Sequence, residues 1–202
     1  MRKQGHLLVT NHIIMEQKGW KKACILLGSV LPDFWIPSLI KGHKRENNWD
    51  KIKEEMETLE RKGTWNMRNC IRLGIVLHYV EDYFTFAHSK AYEGGLYAHC
   101  KYEKKQYQEF KAHLSVEKQV IEQVGAFYKY YVNSIADWME EQFEEYDEMP
   151  HCVETDYLIM KRAVNVTWWY FEREFNINEH IIIENAASDA VTIHQKAHSP
   201  LA

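Results

Sequence analysis

Two histidine–carboxylate pairs with one spacing stand close together in this sequence: His78 with Asp82 and His99 with Glu103, each four residues apart. On a helix such a pair lies on one face, a turn apart. A ring nitrogen and a carboxylate oxygen can then reach a single ion, since zinc bonds both atoms at about 2.0 to 2.2 Å. His88 stands between the pairs, ten residues after His78, and an unbroken helix would turn it to a different side. Either the helix ends near Thr85 or His88 serves another site. One histidine and acid at this spacing is most often a surface hydrogen-bonded pair. Two pairs and a third histidine within residues 78–103, entered through the apolar run LGIVLHYV, point instead to a metal site.

The elements that position these residues are helices. Seven Trp, twelve Tyr and eight Phe against nine Gly and four Pro favour long helices packed through large side chains. At 202 residues, with 46% hydrophobic and 27% charged content, the chain has the size and composition of one globular domain. The expected fold is therefore all-α and single-domain over residues 1–202, with the candidate ligands in 1–103 and scaffold helices in 104–202. A net charge of -4 gives no electrostatic case for a nucleic-acid footprint. Cys24, Cys70, Cys100 and Cys152 show no CxxC spacing, which suits reduced thiols. The opening MRKQGHLLVTNHIIM is interrupted by Asn11 and His12, with no small-residue cleavage site after it. No run approaches 18 apolar residues, so no transmembrane segment is expected, and the expected location is cytoplasmic.

Along the chain, helices are predicted over His6–Gln17 and Lys21–Leu27, followed by a bend at Pro32–Asp33 and a loop from Ile36 to Asn48. Trp49–Arg61 reads as a solvated amphipathic helix. Thr64 is placed as the cap of a central helix from about Trp65 to Phe84, and helix resumes over Leu96–His113. Ser115 is placed as the N-cap of a long helix carrying Val116 to Trp138, with Glu140–Glu148 as its solvated acidic end. Thr155–Phe175 and about Asn178–Gln195 are expected as two more helices. His12, His113, His151, His180, His194, His198 and the Trp168–Trp169–Tyr170 run are read as structural.

Outside the opening stretch, His6, Asp33 and His43 also lie in apolar or bend contexts, and Asp33 among bulky neighbours needs a partner. With His78, Asp82, His88, His99 and Glu103 they make eight candidate ligands, enough for two or three zinc ions at three or four protein ligands each.

At this point the chain resembles the bacterial zinc-dependent phospholipase C family, related to the S1/P1 nucleases: all-helical enzymes with a three-zinc site in a cleft. The family motif of His, three residues, Asp, five residues, His matches His78, Asp82 and His88. Its second motif, His, three residues, Glu, matches His99 and Glu103, including the preceding Lys101–Tyr102. Nuclease members carry Asp there, so Glu103 favours the phospholipase branch. The setting of His6 matches the family's first histidine, Asp33–Phe34 its loop aspartate and aromatic, and His43 its loop histidine.

The resemblance implies that Asp33, His43, His78 and Asp82 hold one ion, and that His88, His99 and Glu103 hold a second. Asp82 bridges to a third, completed by His6 and the main-chain atoms of the first residue, here Met1 where the family presents a Trp. It implies a phosphodiester substrate, phospholipid among the candidates, bound through its non-bridging oxygens, and a water activated between the ions, with Asp33 as general base. Phe34 fits one position of the headgroup pocket. Ile40 stands where another aromatic is expected, so choline selection by cation–π contact is not implied. A nuclease or phosphomonoesterase on the same scaffold, using Trp35, Tyr83 or Phe86 for stacking, and a non-catalytic zinc-binding protein are the alternatives.

Overall fold

Helix α4 (Met67–Tyr83) runs through the middle of the structure because its sequence is apolar on nearly every side. From Val76 to Tyr83 every residue is buried, including His78, Glu81 and Asp82. The computed structural model describes residues 1–34, 44–116 and 132–197, with side chains described through 114 and, in the last segment, through 184. The other helices are α1 (Lys3–Ile13), α2 (Gly19–Gly28), α3 (Arg45–Lys62), α5 (Leu96–Val116), α6 (Ile135–Glu148) and α7 (Val153–Ala197), with short 3-10 turns at Leu31–Phe34 and Phe86–His88. There is no strand among the described residues, and the fold is all-α as the sequence predicts. None of the described helices is long and apolar enough to cross a membrane.

α2 lies directly on α4. The approach is so close that a Cβ on Gly28 would meet the carbonyl of Ile71, and one on Gly74 would meet the carbonyl of Ile25. Two glycines facing each other let the backbones touch. Ser29, the residue after α2, is thereby set beside His78, one turn after Gly74. The cap of α4 is Asn66, whose side chain accepts from the Asn69 amide, and not the expected Thr64. Thr64 serves the same turn one step back, accepting from the Asn66 and Asn69 side-chain amides.

Several boundaries differ from expectation. α1 stops at Ile13, short of Gln17, and α3 begins at Arg45, so Arg45–Asn48 is helix where a loop was expected. Ser115 falls inside α5; the long helix expected from Val116 lies outside the described residues over 117–131, and its last part is α6, capped by Ser134, which accepts from the Asp137 amide. The acidic stretch 140–148 is the body of α6, with Phe143 and Tyr146 buried on one face. Its acids are paired, Glu140 with Lys53 and Trp49, Glu145 with Arg162, and Asp147 with Arg45. The two predicted C-terminal helices are one. No Gly or Pro interrupts Val153–Ala197, and the polar residues near the expected break are docking groups. Asn178 donates to the carbonyls of Glu60 and Gly63 at the end of α3, and Glu179 accepts from the Trp65 amide. These bonds satisfy carbonyls that a helix end leaves open.

Buried side chains from α1 through α7 form one apolar cluster, dense in aromatics. Trp49 and Tyr83 meet Phe143 edge-on, and Phe84 meets Tyr146 likewise. Trp168 and Tyr170 are buried in the same core.

Candidate metal centre

Asp82, at the end of α4, is the point on which the site converges. Its Oδ2 lies 3.3 Å from Nε2 of His78, one turn back. Its Oδ1 lies 3.4 Å from His6 Nε2 and 3.7 Å from His88 Nε2, and it accepts from the Met1 ammonium. Burial opposes ionisation of this carboxyl. The positive charge of His88, the Met1 ammonium, His6 and His78 outweighs burial and holds Asp82 well below the usual carboxylate range.

The inner side is built by α1, α2 and α4. His6 on α1 stacks on His78, with ring centroids 3.9 Å apart. Both rings are fixed from behind: His6 Nδ1 lies 2.5 Å from Glu81 Oε2, and His78 Nδ1 lies 2.9 Å from the Ser29 carbonyl. Burial works against a charge on His6, but Asp82 and Glu81 raise its pKa to about 9. Asp33, in the 3-10 turn after α2, offers an oxygen within 4.8 Å of donor atoms on His6 and His78.

The outer side is built by the turn after α4 and by α5. α4 ends at Tyr83, and the Phe86–His88 turn swings His88 back toward Asp82, which is the break its spacing required. His88 Nε2 is 3.4 Å from Glu103 Oε1, and His99 Nε2 is 3.1 Å from the same oxygen. The Met1 nitrogen lies 2.8 Å from His88 Nε2 and 3.2 Å from Glu103 Oε1, so the chain's first amine joins the two sides. Burial lowers the His88 pKa to about 4, with the Met1 ammonium adding to the effect. Glu103 is lowered against burial by its bonds to His88 and His99.

A model of the family described as zinc dependent phospholipase C matches residues 6–165. The chain belongs to that family. No curated protein and no solved structure gave a match.

The donor set fits the family's metal on its own chemistry. Imidazole nitrogens and carboxylate oxygens are zinc ligands. Nε2 of His6 is buried and makes no hydrogen bond, while Nδ1 is occupied behind it, the usual backing of a metal-binding histidine. The structure assembles two donor groups: His6 with Asp33 and His78, and His88 with His99 and Glu103. The second is the grouping the sequence suggested for one ion. In the first, His6 sits with Asp33 and His78 as well as beside Asp82 and the Met1 amine. His43, Ile40 and Trp35 lie outside the described residues. Phe34 is 63% exposed at the end of its turn, with Lys3 Nζ 3.6 Å above the ring centroid.

Sequence reasoning missed the groups that hold the ligands. For Glu81 the signal was a carboxylate inside the apolar α4 run, next to Asp82. Asp156, from α7, is fully buried and accepts from Tyr102 and Tyr146 hydroxyls, the Gln106 amide and the Phe86 backbone amide. It ties the turn before His88 to the helix bearing Glu103. No local pattern marks it, since its partners lie 10 to 70 residues away.

Proposed function

We propose that this protein is a zinc-dependent phosphodiester hydrolase of the phospholipase C type, holding two to three ions. The observation that carries the proposal is the convergence of His6, His78, His88 and the Met1 amine on Asp82, with the His88–His99–Glu103 group adjoining it. Zinc in such a site binds non-bridging phosphate oxygens, lowers the pKa of water toward neutrality and neutralises charge on the leaving oxygen.

The chain's own residues set the rest. Asp82 would join the ion positions, with His78 and Asp33 to hold one ion and His6 and Met1 another. His88, His99 and Glu103 supply the remaining group, and His43 is assigned to the first ion by family resemblance. Exposure rises outward through the side chains, from 0% at His6 and His78 to 9% at His88, 12% at Glu103 and 26% at His99. Substrate therefore approaches from the α5 side. Asp33 is half-buried at the margin beside exposed Phe34 and is the carboxylate proposed to take the proton from the attacking water. Base stacking by the central aromatics is disfavoured, because Tyr83 is buried in the core and Phe86 stacks on His151 at 4.7 Å.

Turnover of p-nitrophenyl phosphodiesters, phosphocholine esters and single-stranded DNA, with and without zinc, tests the proposal. Zinc-dependent cleavage of the diesters in preference to DNA is expected. Cleavage of DNA alone, or of none of the three by zinc-replete protein, would overturn it.

A further inference from the structure

Glu81 precedes Asp82 in α4 and is completely buried. Its carboxylate lies behind the His6 ring, at the nitrogen not offered to an ion. Oε2 meets His6 Nδ1, and Oε1 accepts from Thr10 Oγ1 at 2.8 Å. Thr10 follows His6 by one helical turn on α1, so both partners of Glu81 come from one face of that helix. His6 is thus gripped between consecutive carboxylates, Glu81 at one ring nitrogen and Asp82 at the other. His78, stacked beside it, meets the neutral Ser29 carbonyl with its Nδ1. A charge buried in the middle of a helix bundle is costly unless fully partnered, and both oxygens of Glu81 have partners.

Resting on the assignment of the cluster as a zinc centre, we propose that Glu81 is a positioning residue for the ion shared by His6 and Asp82. By accepting the His6 Nδ1 proton it fixes the tautomer with the Nε2 lone pair facing inward. Its charge, passed through the ring, makes His6 a stronger donor, and Thr10 holds the carboxylate in place. This ion subsite is thereby tightened independently of the His88–His99–Glu103 group.

The test is zinc content against buffered free zinc for the wild type, Glu81→Ala, the near-isosteric Glu81→Gln and Thr10→Val, with circular dichroism confirming the fold. One ion is expected to bind about 10- to 100-fold more weakly in Glu81→Ala, the range for loss of an outer partner of a ligating histidine. The same ion is expected to weaken less in Glu81→Gln and least in Thr10→Val, with the remaining zinc at wild-type affinity. Cobalt substitution should show the altered spectrum of that one ion. Unchanged zinc affinity in both folded Glu81 variants, or an equal loss at every ion, would overturn the inference while leaving the zinc centre standing. Wild-type protein that binds no zinc would overturn the centre itself.

Discussion

His6 and His78, on the inner side of Asp82, are wholly buried and backed at Nδ1 by groups from packed helices, whereas His88, His99 and Glu103, on the outer side, are partly open and depend on a turn and one helix. The inner donors are fixed by the same contacts that make the core, so their geometry exists before an ion arrives. The outer donors border solvent and are steadied from below by Asp156, through Phe86 and Tyr102. One half is thus enclosed by the core and the other borders solvent. Asp82 and the Met1 amine belong to both.

The sharpest way to break this division is at its shared residue. Asp82→Asn removes the negative charge and one of the two oxygens that His6, His78, His88 and the Met1 amine face together, so loss of at least two ions and of all turnover is expected. Glu103→Gln alters the outer group and its contact with the Met1 amine and should cost one ion. Equal losses by metal analysis would show that Asp82 does not bridge the halves.

Asp156→Ala is the next largest perturbation and falls on the outer half. It strips the acceptor from two tyrosine hydroxyls, a glutamine amide and a backbone amide. With buried unsatisfied groups costing about 1–3 kcal/mol each and some relaxation between them, a loss of about 3 kcal/mol is expected by denaturant unfolding. The outer ion should weaken and the inner one should not. The same carboxyl carries a pH signature. Burial raises its pKa to about 6, against its four donors, while the unfolded chain has the ordinary value of about 3.9. Between these values the folded state binds more protons than the unfolded, so this group makes stability fall as pH rises from about 4 to about 6, with the penalty complete above that. Asp156→Asn should remove this slope, and since zinc release acts on both proteins, the difference between their unfolding curves isolates it.

Gly74→Ala acts on the inner half alone. The added Cβ would press on the Ile25 carbonyl and Gly28, pushing α2 away and drawing the Ser29 carbonyl from His78. A cost of about 1–3 kcal/mol is expected for such overpacking, with weaker zinc binding at the His78 ion and the outer ion unchanged.

The histidine–carboxylate pairs were legible because their spacing is local: four residues on α4 and four on α5 need only a helix to become a site. The helix break before His88 was legible for the same reason. What holds the ligands was not, because it is assembled across the chain. Glu81 finds Thr10 and His6 more than 70 residues away, and the partner of His78 is a backbone carbonyl, which carries no residue type to read. The continuity of α7 was hidden because Asn178 and Glu179 have the composition of a helix start, while their bonds go to the end of α3 and the start of the next turn.

The smallest predicted effect separates helix stability from site geometry. Asn66 caps α4 through the Asn69 amide, and Asn66→Ala should cost about 1 kcal/mol. His78 lies twelve residues along the helix, about 18 Å at 1.5 Å per residue, and fraying is confined to the first turn. His78 and Asp82 are meanwhile held by α1 and α2 at the other end. Melting should therefore fall by a few degrees with zinc affinity unchanged in both halves. A parallel fall in zinc affinity would mean that the inner donors depend on the overall stability of α4 and are not fixed by their own contacts, and the contrast between the two halves would then lose its physical basis.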